Sequence, residues 1–319
     1  MPRSAASGPT DRHHSAFADD VAYYLTQTPR QLPSRYLYDE LGSSLFEAIC
    51  RLPWYGITRT EQQLLKLHRQ TIFELVGTIS TVVELGPGSG EKLITLMTGE
   101  PNQNATVHLV DVSAAALDKA RRALSACGLP VILHQATYEA GLAHIRPAGS
   151  RERTLVVFLG SNIGNFDPPG VDAFLGSVRA ALGSGDALLI GTDLVKPETE
   201  VLLAYDDPLG VTAAFNRNLL VRVNRELGGD FDVSRFGHRA VWNAGESRVE
   251  MHLVSLTRQR VRVERAQVDV TFEANEAIWT ESSYKYRLED VAAMLERSGF
   301  RSIAQWVENT FALTLAGVA

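Results

Sequence analysis

The segment Thr81–Gly90 has the sequence TVVELGPGSG, in which a short apolar stretch runs directly into three glycines. An apolar stretch of this length, bounded by glycine, predicts a buried β-strand. Glycine lets the chain turn sharply and lets a ligand approach the backbone closely. The segment therefore predicts a strand followed by a ligand-binding loop.

Strand-like and helix-like stretches alternate after that loop. Apolar strands that alternate with helices predict a parallel sheet covered on both faces. The predicted fold class is therefore α/β, with a doubly wound, Rossmann-like sheet. We predict strands at Thr81–Gly86, Thr106–Val112, Val131–Ala136, Arg153–Gly160 and Asp186–Asp193, and helices at Glu91–Met97, Ala114–Cys127 and Asp172–Ala181.

The flanking regions have a different pattern. Helical periodicity without any strand pattern precedes residue 80, and alternating polar and apolar residues after Leu194 predict antiparallel strands between residues 236 and 272. We expect an α/β domain from residues 66–194 and 287–319. A second, α+β domain is predicted from the N-terminal helices and a large insertion, residues 12–65 and 195–286. Residues 1–11, rich in small and polar side chains, are expected to be flexible.

The composition restricts the class of protein. The 319 residues suffice for about two domains of roughly 150 residues each. The 31 Lys and Arg against 37 Asp and Glu give a net charge of −6. No dense basic stripe accompanies it, which disfavours a nucleic-acid partner. No apolar run approaches the roughly 18 residues that a membrane span needs, so no membrane partner is expected.

Cysteine and histidine usage adds to these expectations. Cys50 and Cys127 form no CxxC pair, which fits a reducing compartment. The eight histidines show no metal-ligand spacing, and Met1–Thr10 lacks the apolar region of a signal peptide. We expect a cytoplasmic protein without a metal. Nothing suggests a large apolar interface, so we expect a monomer.

Two acidic residues accompany the glycine-rich loop. Glu84 precedes it, and Asp111 ends the next strand about 20 residues later, where a carboxylate can accept hydrogen bonds from both ribose hydroxyls. The loop has the spacing G-x-G-x-G, whereas a dinucleotide site prefers G-x-G-x-x-G. This form resembles motif I of the class I S-adenosylmethionine (SAM) methyltransferases. NAD-type binding and a purely structural turn are the alternatives. Lys92, just after the loop, suits either a contact to SAM or a solvated helix position.

The fourth strand runs into Phe158–Phe166, with the sequence FLGSNIGNF. Ligands of open α/β sheets lie beyond the carboxyl ends of the strands, so two Asn and two Gly at this place suit a polar substrate. The following Asp167–Gly170 (DPPG) resembles the D/N-P-P-aromatic motif of amino-methylating enzymes but lacks the aromatic residue. A Pro-Pro-Gly turn before a helix is the favoured interpretation.

Taken together, these residues and others along the chain resemble the L-histidine Nα-methyltransferases of the ergothioneine pathway. The resemblance extends over nearly the whole chain except the first dozen residues. It implies a SAM-binding Rossmann-like domain with a second, substrate-binding domain, and three successive methyl transfers that convert histidine to its trimethyl betaine, hercynine. The segments that carry it are Tyr38–Phe46, Leu52–Tyr55, Thr58–Glu61, Glu84–Lys92, Phe158–Asn165, Gly191–Asp193, Tyr205–Asp207, Ala214–Asn218, Glu250–Met251 and Thr280–Lys285.

The same resemblance implies roles for individual residues. Asn165 would hold the α-amino group, and Tyr38 would line the reacting end of the pocket. Because the α-ammonium must lose a proton before it reacts, Tyr38 is also the best candidate for relaying that proton, directly or through water, and these two are the expected catalytic residues. Tyr55 and Tyr205 would hold the carboxylate or its water shell, while Phe46 and Met251 would line the pocket. Glu281, Ser282 and Ser283 would lie at the imidazole; taken alone, Glu281 also suits a surface charge at a strand end. The expected SAM contacts are Tyr38, Gly86, Gly88, Ser89, Lys92, Asp111, Thr137, Tyr138 and Gly160.

The chain departs from the family pattern in two places. The best-known form follows Leu-Pro with Glu-Tyr-Tyr-Pro, whereas this chain has Trp54-Tyr55-Gly56-Ile57. An Asp-Phe pair commonly meets the adenine, whereas this chain has Thr137-Tyr138, which replaces the carboxylate by a hydroxyl. Other readings are a SAM-dependent N-methyltransferase of another free amino acid such as tryptophan, a methyltransferase of nucleic acid or protein, and a non-catalytic SAM-binding module.

Overall fold

The computed structural model describes residues 9–99, 105–145 and 153–319. Three helices and a two-residue strand come first, followed by alternating strands and helices and then by a segment richer in strands. In chain order the elements are α1 (Pro9–Leu25), β1 (Arg30–Gln31), α2 (Glu40–Ile49), α3 (Ile57–Val76), β2 (Ile79–Leu85), α4 (Glu91–Met97), β3 (Thr106–Asp111), α5 (Ala114–Ala126), β4 (Val131–Gln135), α6 (Tyr138–His144), β5 (Arg153–Phe158), α7 (Pro168–Ala181), β6 (Ala187–Asp193), α8 (Glu198–Tyr205), α9 (Val211–Leu227), β7 (Phe236–Asn243), β8 (Arg248–Ser255), β9 (Gln259–Val263), β10 (Val268–Phe272), β11 (Ala277–Tyr284), α10 (Leu288–Arg297), β12 (Phe300–Glu308) and β13 (Phe311–Val318).

The described chain divides into two compact units, each built from separate segments. The central-sheet unit comprises Cys50–Glu198, Ala244–Arg248 and Ser283–Ala319, and the insertion unit comprises the residues up to Ile49, Thr199–Asn243 and Val249–Ser282. This division places residues 50–65 with the central sheet, whereas their sequence pattern predicts them in the second domain with the N-terminal helices. The reason is that α3 packs along its length against β6, β12, β13 and α4.

The central-sheet unit contains a seven-stranded sheet in the order β12-β13-β6-β5-β2-β3-β4. Strands β2 to β6 run parallel, and β13 is antiparallel to both β6 and β12. All seven residues of β6 are buried, as expected of a strand covered on both faces. The strand order reverses between β2 and β5, and in such sheets ligands bind at the carboxyl edge beside that point. The predicted α/β fold class is confirmed.

The insertion unit is built around a four-stranded sheet, β1-β11-β8-β7, and a separate β9–β10 hairpin. The hairpin strands are antiparallel and alternate strictly between buried and exposed residues, as their sequence pattern predicts. The expectation that no strand precedes residue 80 is wrong, because Arg30 and Gln31 form β1 through parallel pairing with Ile278 and Trp279 on β11. The long helix α9 packs against α2 and β7.

The starts of helices α1 and α7 can be compared with the expectations from the sequence. Most of the expected flexible segment, residues 1–11, lies outside the described residues, and residues 9–11 already belong to α1. Helix α7 begins at Pro168, four residues before the predicted start, because the Asp167 side chain accepts a hydrogen bond from the Gly170 N–H at 2.9 Å. The DPPG segment is thus a helix N-terminus, in which proline suits the first turn.

Candidate active site

The glycine-rich loop follows β2 at the carboxyl edge of the central sheet. Gly86, Gly88 and Gly90 all have positive φ angles, which favour glycine over residues with a side chain. A Cβ atom on Gly86 would lie 2.8 Å from the Tyr138 hydroxyl, whereas the space beside Gly88 is open. The loop therefore presents bare backbone, with a close neighbour on one side and room on the other.

Asp111 lies beside this loop at the end of β3. The Gly86 N–H donates to the Val110 carbonyl at 2.9 Å, which ties the loop to β3. The Asp111 carboxylate accepts from the Ser113 N–H at 2.8 Å, and its burial raises the pKa above the ordinary aspartate range. The structure thus brings together the glycines and the carboxylate that the sequence predicts as a nucleotide-binding pair.

Thr137 and Tyr138 begin α6 at the same edge of the sheet. The Thr137 hydroxyl accepts from the Ala140 N–H at 3.4 Å and so caps the helix. The Tyr138 ring packs edge-on against Phe158, and burial raises its pKa so that the hydroxyl stays neutral. Thr137 therefore has a structural function that the sequence comparison with an Asp-Phe pair did not suggest.

Lys92 is bound to the buried carboxylate of Glu61, which the sequence offers only as part of a segment that carries the family resemblance. Its ammonium lies 2.5 Å from Glu61 on α3, and only 22% of the Lys92 side chain is exposed. Both Glu61 oxygens accept from the Gly160 N–H, at 2.8 and 2.9 Å. The interpretation of Lys92 as a solvated helix residue is therefore wrong. Glu61 joins the start of α4 to the loop after β5.

Glu84 is a second buried carboxylate next to the loop. Burial raises its pKa to about 8, Lys92 opposes this shift, and Glu61 and Asp111 add to it. Within the described part of the chain, Glu84 Oε2 has no hydrogen-bond partner. Without a ligand the buried carboxyl group therefore keeps its proton near neutral pH, and a cationic ligand group that pairs with Glu84 would take the place of this proton.

Asn165 lies in a short 3₁₀ turn, Asn162–Asn165, that follows β5. The turn is packed tightly, since a Cβ atom on Gly164 would lie 2.7 Å from the Tyr284 carbonyl oxygen and 3.6 Å from the Ser283 hydroxyl. The Tyr286 hydroxyl donates to the Ile163 carbonyl at 3.2 Å. The structure thus places the turn that carries Asn165 against Ser283, so that these two predicted substrate-binding residues belong to neighbouring segments.

Ser283 is held by a buried lysine. Lys285 Nζ donates to the Ser283 hydroxyl at 2.8 Å and lies 3.0 Å from Asp193 at the end of β6. Lys196 pairs with the other Asp193 oxygen at 2.6 Å. Because an ammonium can only donate, the Ser283 hydrogen points away from Lys285.

Tyr55 is also in the central-sheet unit and is buried. It lies in the turn before α3, where its N–H donates to the Leu52 carbonyl at 3.1 Å. Arg59 binds the carbonyls of Leu52 and Pro53 at 2.7 and 2.6 Å. Arg59 therefore fixes this turn although the residues after Tyr55 depart from the family pattern.

The insertion unit brings Tyr38 and Phe46 together. Their ring centroids are 5.5 Å apart, and both rings also contact Phe215 on α9. Asp39, next to Tyr38, accepts from the Gly42 N–H and from the Asn218 amide, both at 2.7 Å. Phe215 was not assigned a role from the sequence, although it lies within one of the segments that carry the family resemblance.

Glu281 and Met251 lie on neighbouring strands of the same unit. Both are buried, and the Thr280 hydroxyl donates to the Met251 carbonyl at 2.9 Å. The interpretation of Glu281 as a surface charge is wrong, because only 8% of the residue is exposed. The pleat of β11 directs the side chains of Glu281 and Ser283 to one face and that of Ser282 to the other.

Tyr205 ends α8 and is buried. The turn that follows is fixed by Asp207, which accepts hydrogen bonds from the Thr212, Leu209 and Val211 N–H groups at 2.7, 3.0 and 3.2 Å. Although burial alone would raise it, these bonds hold the pKa of Asp207 below its ordinary value. The position of Tyr205 between α8 and α9 is therefore well defined.

The fold and the loop define a SAM-dependent methyltransferase of class I. The residues fit SAM, since bare backbone, a ribose-type carboxylate and the unpartnered Glu84 oxygen lie at one sheet edge. A model of the family described as "Histidine-specific methyltransferase, SAM-dependent" matches residues 17–318, and the chain belongs to that family.

Within the described residues, no cluster of His, Cys, Asp or Glu has the arrangement of a metal site. Among the helices described, none combines the length and apolarity needed to cross a membrane.

The names of proteins with similar sequences agree with this family assignment. A histidine N-alpha-methyltransferase of Mycolicibacterium smegmatis is 42% identical over 312 residues, 96% of each chain. The protein of that name from Mycobacterium tuberculosis is 40% identical, again over 96% of each chain. Ergothioneine biosynthesis protein 1 of Schizosaccharomyces pombe is 28% identical over 88% of this chain and 38% of its own length.

Proposed function

We propose that this chain transfers methyl groups from SAM to the α-amino nitrogen of L-histidine. Three successive transfers give hercynine, the first step of ergothioneine biosynthesis. The observation that carries the proposal is the match of the histidine-specific family over residues 17–318. Glu281 gives it a chemical reason, because a buried carboxylate can accept a hydrogen bond from an imidazole N–H.

The residues at the sheet edge would hold SAM, which supplies an electrophilic methyl group when it is bound. Asp111 would accept hydrogen bonds from the ribose hydroxyls, and Glu84 would accept from the amino-acid part. The proposed contacts are Tyr38, Gly86, Gly88, Ser89, Lys92, Asp111, Thr137, Tyr138 and Gly160, as the family resemblance implies.

The α-amino group must lose a proton before its lone pair can attack a methyl carbon. Asn165 and tyrosine oxygens can orient N–H bonds without forming a salt bridge, which would hold the ammonium in its charged state. Tyr38 would relay the departing proton to water: its hydroxyl oxygen accepts the ammonium proton while its own hydroxyl proton passes to a solvent molecule, because a phenol near pH 7 is too weak a base to hold a second proton. Good positioning of the two reactants is worth roughly 7–11 kcal/mol of the barrier.

The imidazole ring of the substrate would be recognised by polar side chains on β11. Glu281 would accept from one ring N–H and Ser283 would bind the other ring nitrogen, with Ser282 as the intervening residue. Phe46 and Met251 would provide apolar walls, while Tyr55 and Tyr205 would hold the carboxylate. A site with a buried polar partner rejects substrates that lack the matching group by up to about 10⁴-fold.

The alternative is N-methylation of another free amino acid such as tryptophan, which also carries one ring N–H. Histidine is favoured because Glu281 and Ser283 together match two ring nitrogens, whereas an indole has only one. We further propose that the enzyme acts in the cytoplasm as a monomer on this small-molecule substrate. The cysteine usage and the net charge of −6 support that setting.

A panel of free amino acids incubated with SAM and analysed by mass spectrometry tests the proposal. We expect histidine to gain three methyl groups, and Glu281→Gln to lower kcat/KM for histidine by at least about 100-fold, since the carboxylate partner of the ring is lost. The exposed Glu296→Gln on α10 is the matched control, with activity expected within about twofold of the wild type.

Two results would contradict the proposal. Methylation of tryptophan without methylation of histidine would favour the alternative substrate. Absence of methylation on every amino acid of the panel would reject the whole substrate class.

A further inference from the structure

We propose that His238, oriented by Asn216, is a positioning residue that sets Tyr205 for the carboxylate of the substrate. This inference rests on the proposed function, because it assigns Tyr205 to that carboxylate. The three residues come from β7, α9 and the end of α8, all within the insertion unit. We refer to them as the Asn216–His238–Tyr205 chain.

The two hydrogen bonds of the Asn216–His238–Tyr205 chain have ordinary lengths and are made by side chains with almost no exposure. His238 Nε2 lies 2.8 Å from the Tyr205 carbonyl oxygen, and His238 Nδ1 lies 3.0 Å from Asn216 Nδ2. The His238 side chain is 1% exposed and Asn216 is completely buried. Water therefore has little access to either bond.

The direction of each hydrogen bond follows from the groups that can only accept. The Tyr205 carbonyl has no hydrogen, so His238 Nε2 must donate to it. Asn216 Nδ2 also lies 3.2 Å from the His252 carbonyl, which fixes the amide with its nitrogen toward both acceptors. His238 Nδ1 is then an acceptor, and the ring is the neutral Nε2–H tautomer.

The unpaired oxygen of Asn216 agrees with this assignment. Within the described structure, Asn216 Oδ1 is buried and has no hydrogen-bond partner. Turning the amide would place this oxygen against the His252 carbonyl at about the same short distance, and two acceptors repel. The amide therefore keeps its nitrogen toward His238 at the expense of its own oxygen.

The surroundings keep the ring neutral. Burial lowers the pKa of His238, and this effect exceeds the opposing influence of the Tyr205 carbonyl and of the neighbouring carboxylates. The nearest carboxylate, Asp206, lies 3.9 Å from Nε2 and is half exposed, so water screens it. The charged or titratable groups that face His238 are Asp206, Asp207, Arg217 and the ring of His252.

The Asn216–His238–Tyr205 chain stabilises the end of α8, which would otherwise be less ordered. Tyr205 is the last residue of α8, and the final carbonyls of a helix have no partner within it. His238 supplies that partner from β7 and so fixes the backbone from which the Tyr205 side chain projects. A shift of this backbone moves the tyrosine hydroxyl without changing its chemistry.

Steady-state kinetics of two His238 variants test the proposal. His238→Phe removes both hydrogen bonds and should raise KM for histidine roughly five- to tenfold, while KM for SAM stays within about twofold. His238→Gln retains a donor near the position of Nε2 and should recover most of the loss. An unchanged KM for histidine in His238→Phe would overturn the proposal.

A double-mutant cycle separates positioning from general structural support. In a Tyr205→Phe background the carboxylate contact is already lost, so His238→Phe should add less than about twofold to KM for histidine. An equal increase in both backgrounds would show that His238 does not act through Tyr205. If His238→Phe does not fold, Asn216→Ala replaces it in the cycle, because it removes the donor that orients the imidazole at Nδ1.

The tautomer can be measured without any activity. ¹⁵N NMR of the imidazole should show a protonated Nε2 and a bare Nδ1 in His238 near pH 7, and a protonated Nδ1 would overturn the inference. If the wild type does not methylate histidine but the tautomer is found, the proposed function fails while the hydrogen-bond chain stands. The two failures are therefore distinguishable.

Discussion

Glu61 shows how one buried side chain explains several neighbouring residues. It faces the Gly160 N–H and Lys92, and a Cβ atom on Gly191 would lie 2.0 Å from Glu61 Oε1. Gly191 is therefore required by the space that the carboxylate occupies. The sequence does contain a signal, since Glu61 shares the buried helical face of α3 with Ile57, Leu64 and Leu65. A charge at such a position needs a partner, but the periodicity of α3 does not identify Lys92.

Tyr38→Phe tests the proton relay at the scale of a single atom. The aromatic contacts with Phe46 and Phe215 remain in the variant, so its thermal midpoint should change little. Loss of the hydroxyl should lower kcat by about 100-fold or more, the contribution typical of a positioned proton-transfer group. Tyr23→Phe, which changes an exposed tyrosine on α1, is the matched control. Near-normal turnover in Tyr38→Phe would reject the relay.

The sequence predicts those helices and strands whose formation depends on the pattern of their own residues. The apolar strands β2 to β6 and helix α4 lie within about two residues of their predicted bounds, since each is a short apolar or periodic stretch that its own residues define. The elements β1, α6 and β11 escaped prediction, the first two for clear physical reasons. The strand β1 exists only through its pairing with β11, and the short helix α6 depends on the Thr137 cap.

The cap of α7 provides a test at the scale of an element. Asp167→Ala removes the acceptor for the Gly170 N–H and should cost about 1 kcal/mol, typical of a lost helix N-cap. For a domain of this size we expect the thermal midpoint to fall by about 2–4 °C. Ser177→Ala, on the exposed face of the same helix, should have no such effect. An unchanged midpoint in Asp167→Ala would show that the cap contributes nothing.

At the scale of the whole molecule, the sequence predicts a ligand site at the carboxyl edge of the central sheet, where the parallel strands end together. It does not predict the pairs that hold this edge together. Glu61 binds Gly160, Asp193 binds Lys285, and each pair joins residues far apart in the chain. Local patterns report which residues are buried, whereas the choice of a buried partner is made only when the whole sheet has assembled.

Glu84 links the stability of the molecule to pH. Its pKa of about 8 in the folded protein lies above the ordinary value of 4.5, so the folded state binds the proton more tightly. The corresponding stability is fully present below pH 4.5 and is lost as the pH rises through about 8. Glu84→Gln carries no titratable proton and avoids this loss.

Calorimetry without SAM should therefore give a midpoint for Glu84→Gln that rises, relative to the wild type, between pH 5 and pH 9. Glu296→Gln, which changes an exposed glutamate, should show a constant difference over the same range. A constant difference in Glu84→Gln as well would mean that the Glu84 carboxyl is ionised throughout.

The place of β13 in the central sheet has a consequence for protein synthesis. This strand lies between β6 and β12 and is antiparallel to both, yet it is the last element of the chain. While the ribosome makes the chain, β6 is complete long before its partner has been translated. One edge of an apolar strand therefore stays unpaired throughout the translation of the insertion that follows, which is the interval in which a nascent chain most needs a chaperone.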